Sequence, residues 1–124
     1  MTTAEFGIDS WDENPFDEEG RVAKLTTALV KKRYSGAIDG TSVTEWVMAY
    51  NGETADFVGI ERIRGTVDGR SGTLVLRHVG RFGDGVAKAD LLVVSGTDQL
   101  DGVTGTGSMV ADPAGKVELT LTTP

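Results

Sequence analysis

A chain of 124 residues, 39% of them hydrophobic, can bury one core and no more, so residues 1–124 read as a single domain. The absence of cysteine excludes disulfides and thiolate metal sites and fits a reducing compartment. The net charge of −7 lies wholly in residues 1–20, where Glu5, Asp9, Asp12, Glu13, Asp17, Glu18 and Glu19 stand without a base, which argues against nucleic acid or an anionic membrane as partner.

No apolar run approaches membrane-spanning length, and the opening MTTAEFGIDS lacks the basic and apolar regions of a signal peptide. A cytoplasmic location is expected. Glycine is abundant at 17 and proline scarce at 3, and no helical periodicity of useful length is present. β-Branched runs of moderate length recur between turn signals instead, the pattern of an antiparallel barrel or sandwich.

Thr3–Trp11 reads as a first strand, followed by an acidic loop over Asp12–Gly20 that contains Pro15. That loop lacks the spacing and the turn glycine of a Ca²⁺ loop, so no metal and no cofactor is expected. Arg21–Tyr34 (RVAKLTTALVKKRY) carries the Thr and Val content of a long strand, ended by Ser35-Gly36. Its Lys31-Lys32-Arg33 cluster reads as a solvated strand edge on which the acidic loop could dock.

Gly40–Tyr50 is a strand, turned by Asn51-Gly52-Glu53-Thr54 into a second, Phe57–Val67. Pairing Tyr50 with Ala55 puts Trp46 over Gly59, Met48 beside Phe57 and Thr44 beside Glu61. An aromatic laid over a cross-strand glycine fills the gap that glycine leaves. Asp68-Gly69-Arg70-Ser71 then turns the chain into Gly72–Phe82. Pairing Val67 with Gly72 stacks Phe57 on Phe82, Gly59 on Gly80, Glu61 on His78 and Ile63 on Leu76. The other face opposes Arg62 to Arg77, a costly like-charge pair, so the first face is the expected interior. A slip of two residues would change partners but not faces.

Glu61 and the lone histidine, His78, thus fall among Phe57, Phe82, Ile63, Leu74 and Leu76. A buried carboxylate needs a partner, and an imidazole can supply it. Trp46, Met48, Tyr50 and Thr44 share this surface. Arg62, Arg64, Arg77 and Arg81, with Val58, Ile60 and Val79, form the outer face, either solvated or a subunit interface.

Gly83-Asp84-Gly85 leads into Val86–Val94, with either Ala89 or Asp90 opposite His78, depending on the turn. Ser95–Asp101 reads as a loop. Gly102–Ala111 is a glycine-interrupted strand, turned by Asp112-Pro113-Ala114-Gly115 into Lys116–Thr122. Glycines 102, 105 and 107 suit sharp coiling or close backbone approach at barrel closure, not a phosphate loop, since no helix follows. Seven or eight strands result, and the two terminal ones could pair to close a barrel.

Ser10-Trp11-Asp12-Glu13, Glu45-Trp46-Val47-Met48-Ala49-Tyr50, Phe57-Val58-Gly59-Ile60-Glu61-Arg62, Gly69-Arg70-Ser71-Gly72, His78 and the late glycines resemble a bacterial family of uncharacterised small proteins. That family is similar in fold to the allene oxide cyclases, eight-stranded antiparallel barrels of the calycin-like group. The resemblance implies a barrel with a mostly apolar cavity, often in homo-oligomers. It carries over no catalytic residue.

The expectation is an all-β, single antiparallel barrel of about eight strands, allene-oxide-cyclase-like. Its cavity would take a small apolar or amphipathic molecule, with Thr44, Trp46, Met48, Tyr50, Phe57, Ile63, Leu76 and Phe82 as lining. Glu61 and His78 would serve an isomerase or cyclase as general acid and base. A core pair that fixes register, a non-catalytic carrier or sensor, and an assembly protein using the outer face remain the alternatives. A Ser-His-Glu triad through Ser42 or Ser108 has no nucleophile-elbow motif behind it.

Overall fold

Period-two alternation between glycine-containing turns selects strands that bury one face each. The computed structural model describes residues 1–20 and 23–124. It holds eight strands: β1 (Thr2–Glu19), β2 (Ala23–Gly36), β3 (Ile38–Asn51), β4 (Thr54–Val67), β5 (Arg70–Gly83), β6 (Val86–Gly96), β7 (Thr104–Ala111) and β8 (Gly115–Thr122). Each pairs antiparallel with the next, and Thr2–Phe6 of β1 pairs with Gly115–Leu119 of β8, closing the sheet into a barrel. The expected all-β barrel of about eight strands is therefore the fold, closed by its terminal strands as the sequence implied. The Ser95–Asp101 stretch contains a short 3₁₀ turn at Asp98–Leu100. Among the described residues no helix is long and apolar enough to cross a membrane.

The interior is the face that the sequence marked. Ala28, Val30, Tyr34, Trp46, Met48, Phe57, Ile63, Leu74 and Leu76 are all buried there. Each such large side chain contributes about 1.5–3 kcal/mol by leaving water. The β3–β4 register is the expected one, with Tyr50 opposite Ala55, Trp46 opposite Gly59 and Thr44 opposite Glu61. A Cβ at residue 59 would collide with the Glu45 carbonyl and the Trp46 indole, so this strand position requires glycine.

Four expectations need correction. The acidic Asp12–Gly20 segment is not a loop, because β1 runs on to Glu19 along β2, with register shifts at Asp9 and Phe16. Pro15 is tolerated there because β1 has left β8 after Phe6, and one edge of the strand needs no amide donors. Of the expected Arg21–Tyr34 strand, Arg21 and Val22 lie outside the described residues.

The β4–β5 hairpin closes two residues tighter than expected, with Val67 opposite Arg70. Asp68 and Gly69 both adopt left-handed backbone (φ 51° and 79°), the turn whose twist matches the strands. Glu61 is accordingly opposite Leu76, His78 opposite Gly59, Phe57 opposite Gly80 and Phe82 opposite Ala55. Arg62 and Arg77 face Val75 and Ile60, so the like-charge pair does not arise, while the faces stay as assigned.

The next hairpin turns at Asp84-Gly85, placing Leu91, rather than Ala89 or Asp90, opposite His78. Lys32, expected at a solvated edge, is buried in the core.

Candidate functional site

Alternation along β2 decides the site. Thr26, Ala28, Val30 and Tyr34 point inward, and Lys32 shares their parity. Its side chain is 0% exposed, while Lys31 and Arg33 face solvent. The expected solvated edge thus delivers a lysine to the core, and only Arg33 meets the acidic strand, 3.4 Å from Asp9. Lys32 is opposite Ser42 on β3, and Thr44, two residues on, is opposite Glu61 on β4. One row further, Trp46, Gly59 and His78 stand side by side on β3, β4 and β5. Glycine leaves no side chain between them, so the indole crosses β4 to the imidazole.

Glu61 is the hub. Its Oε1 lies 2.8 Å from His78 Nε2, and its Oε2 accepts from the Tyr34 hydroxyl at 2.7 Å and the Ser42 hydroxyl at 2.6 Å. Lys32 Nζ stands 3.4 Å from Oε2 and 3.5 Å from Oε1. The same ammonium is 4.5 Å from the Phe6 ring centre, 5.2 Å from that of Trp46 and 4.0 Å from Met109 Sδ. Aromatic faces and a thioether suit a cation. Glu61 and His78 are thus together as expected, although as diagonal rather than direct neighbours.

The protonation states follow from donors and acceptors. Trp46 Nε1–H can only donate, and it reaches His78 Nδ1 at 3.3 Å. Nδ1 therefore accepts, the imidazole is neutral, and its proton sits on Nε2, donated to Glu61. Burial likewise holds the His78 pKa below its ordinary value, with Lys32 adding to this and Glu61 opposing it. Burial also acts to raise the Glu61 pKa, but the Lys32 charge, the His78 bond and the Ser42 hydroxyl outweigh it and keep the carboxyl far below the usual range. Lys32 is lowered by burial against the pull of Glu61, and Tyr34 is raised well above 10 by burial and by the carboxylate. The core thus holds one buried ion pair steadied by neutral donors.

Thr44 breaks the pattern of satisfaction. It is 0% exposed, and its Oγ1 has no hydrogen-bond partner among the described residues. Buried polar atoms nearly always have one.

A second network sits on the part of β1 that runs beyond β8 along β2. Glu13 accepts from Tyr50 Oη at 2.6 Å, Thr26 Oγ1 at 2.7 Å and Trp11 Nε1 at 3.0 Å. Its carboxyl is held below the ordinary value: burial opposes this, while the bonds from Tyr50, Thr26 and Trp11 and the charge of Lys24 favour it. Lys24 also stands 4.7 Å over the Tyr50 ring, and Trp11 packs edge-on against Trp46 at 5.4 Å. The β1 extension is thereby tied across β2 to β3, beside the indole that holds His78.

Of the expected lining, Thr44, Trp46, Met48, Phe57, Ile63 and Leu76 are buried in the interior, whereas Tyr50 and Phe82 are half-buried. Trp46 and Thr44 touch or adjoin the charged cluster. Depressions on the outer wall and rims are lined by neither Glu61 nor His78. Lys32, Tyr34 and Glu13 were missed. The parity of ALVKKRY between Ala28, Val30 and Tyr34 was the available signal for Lys32, whereas Glu13 gave none without the path of β1. Among the described residues no group of three or more His, Asp or Glu is placed to hold a metal ion.

Residues 2–122 match the model of a family described as protein of unknown function (DUF3224). The chain is similar to a crystal structure of a protein of unknown function from that family, from Shewanella oneidensis MR-1. The two are 25% identical, with a TM-score of 0.78, over 98% of this chain and 95% of that one. No curated protein matches. The chain therefore belongs to the DUF3224 family, a family of unknown function.

Proposed function

We propose that the barrel interior binds a small apolar or amphipathic molecule, as a carrier or sensor, and that the molecule's one acceptor oxygen lodges between Thr44 Oγ1 and Lys32 Nζ. The observation that carries this reading is the pair of under-satisfied donors on neighbouring strands. Thr44 Oγ1 has no partner among the described residues, and the Lys32 ammonium, with three protons to place, has among them one carboxylate at 3.4–3.5 Å, a sulfur at 4.0 Å and the ring faces of Phe6 and Trp46. A carbonyl, ether or carboxylate oxygen would complete both. The aromatic and aliphatic wall of Phe6, Trp46, Ile63 and Leu76 suits an apolar body. The resemblance drawn from the sequence, to a family expected to be similar in fold to the allene oxide cyclases, points to the same use of the interior. Entry would be by movement of the β1 extension, whose Trp11 packs against Trp46.

Acid–base catalysis by Glu61 and His78, for an isomerisation or ring closure, is the second reading, favoured by their 2.8 Å contact. It requires a substrate to displace Tyr34 or Ser42 from the carboxylate, since all the lone pairs that face protein are engaged.

The test is a fluorescence and calorimetric titration with a panel of medium-chain ketones, acids and lactones, on the parent protein and on Thr44→Val and Lys32→Met. Binding by the parent, weakened at least about tenfold in Lys32→Met, which loses a charge-assisted contact, and about threefold or more in Thr44→Val, which loses a neutral one, supports the reading. No binding by the folded parent overturns it. Turnover of a bound compound that Glu61→Gln abolishes would favour catalysis instead.

A further inference from the structure

The charge of Lys32 is balanced in the core, but its protons are not. Glu61 takes its short hydrogen bonds, 2.6–2.8 Å, from Ser42, Tyr34 and His78. Lys32 Nζ stands farther off, at 3.4 and 3.5 Å, beyond the about 2.7–2.9 Å usual between an ammonium and a carboxylate. Coulomb attraction holds the pair more than a directed bond does, and a buried N–H without an acceptor is costly. Beside the ammonium stand the ring faces of Phe6 and Trp46 and the Met109 sulfur. Burial lowers the Lys32 pKa against the pull of Glu61, and lysines in such surroundings serve as amine nucleophiles.

We propose that Lys32 condenses with an aldehyde in the barrel interior, and that Glu61 is the counter-ion of the protonated imine that results. This rests on the reading that Thr44 and Lys32 receive a ligand's oxygen, and narrows the ligand to an aldehyde with an apolar tail. Thr44 is two residues along β3 from Ser42, which stands opposite Lys32, so its hydroxyl belongs to the same inner face and can donate to the carbonyl oxygen. Glu61 Oε2 takes one ammonium proton, and the freed lone pair forms the N–C bond. A second proton passes from nitrogen to the former carbonyl oxygen, giving a carbinolamine. Glu61 then returns its proton to that hydroxyl, the C–O bond breaks, water leaves, and nitrogen closes the C=N bond. The charge stays at plus one, and the carboxylate is restored. The imine keeps one N–H for Glu61, while the two surplus protons depart in the water. Its carbon substituents meet the aromatic rings, which suit a cation with apolar flanks. The other four lysines, Lys24, Lys31, Lys88 and Lys116, are exposed or half-buried and have water for their protons.

The experiment adds octanal, isotopically labelled at its carbonyl carbon, to the full chain and follows that carbon by NMR. A parallel sample is quenched into denaturant with borohydride, and the trapped octyl group is mapped by peptide mass spectrometry. The carbon is expected to move from the aldehyde to the imine region, with the octyl group on Lys32 in preference to the other four lysines. Lys32→Arg keeps a cation beside Glu61 but cannot condense, and should lose the imine signal. The mapping on the parent decides the matter even where arginine does not fit the core. Octanal that binds yet keeps its aldehyde carbon, or that is trapped only on the other lysines, overturns the imine and leaves the ligand reading standing. Failure of the ligand reading itself shows separately, as no binding of any ketone, acid or lactone in the titration above.

Discussion

Trp46 donates its indole N–H to Nδ1 of His78, 3.3 Å away across a glycine that leaves the path open. That one bond fixes the tautomer of the only histidine, turns its remaining proton toward Glu61, and leaves Lys32 as the cation that balances the buried carboxylate. Replacing the glycine breaks the arrangement at its source. Gly59→Ala should cost about 2–3 kcal/mol, since the added methyl meets backbone as well as indole. Chemical denaturation measures it, and a cost below about 0.5 kcal/mol would show the row to be loosely packed.

His78 is expected to be neutral at pH 7, with its pKa below the ordinary 6.5 and the proton on Nε2. Nitrogen NMR of the imidazole reads both. The stability consequence has a definite sign. Because the folded state holds the histidine pKa below its unfolded value, the unfolded chain binds the extra proton first, and stability falls as pH drops below about 6.5. Glu61, held low, adds a second loss once pH falls below about 4, as the unfolded carboxyl protonates. Replacing His78 with Gln should remove the first slope and keep the second.

The ion pair is expected to be strongly non-additive. Glu61→Gln leaves Lys32 buried and unbalanced and should cost about 3–5 kcal/mol. Lys32→Met strands the carboxylate, with Tyr34, Ser42 and His78 still donating, and should cost somewhat less. The double variant Lys32→Met/Glu61→Gln should be more stable than the sum of the singles by at least about 2 kcal/mol. Additive costs would mean that the two groups do not neutralise one another.

Tyr50→Phe and Glu13→Gln test the tie that holds the β1 extension. Each removes or weakens a bond to a partly buried carboxylate and should cost about 1–2 kcal/mol. The loss should be local: amide exchange should quicken over Ser10–Glu19 while the central β3–β5 strands keep their protection. Uniform acceleration along the chain would show instead that the extension is an integral part of the barrel.

The legible parts of this fold were those written in alternation. Trp46, Glu61 and His78 were assigned to the interior from parity alone, and parity survived a two-residue error in the β4–β5 register because such a slip preserves faces. The error itself came from reading Asp68-Gly69-Arg70-Ser71 as the turn, when Asp68-Gly69 suffices by taking left-handed backbone at both residues. Lys32 was misjudged because two flanking cations made a charged cluster look solvated, although its parity matched Val30 and Tyr34. The acidic strand was missed for a different reason. Its pairing depends on β2 outrunning the closed part of the barrel, a property of the assembled sheet and not of any short stretch of sequence. The unpartnered Thr44 hydroxyl likewise has no sequence signature, since it follows from what the neighbouring side chains are already bonded to.

The central claim is that Thr44 and Lys32 hold an acceptor oxygen of a small molecule. An atomic-resolution crystal structure of the protein as purified, with mass spectrometry of its organic extract, tests this most directly. Continuous density is expected from Thr44 Oγ1 and Lys32 Nζ along the wall of Trp46 and Leu76, matched by an extracted amphipathic compound. A single ordered water bridging the two donors, with side chains packed tightly around it and nothing in the extract, would contradict it and leave the charged cluster as a fixture of the core.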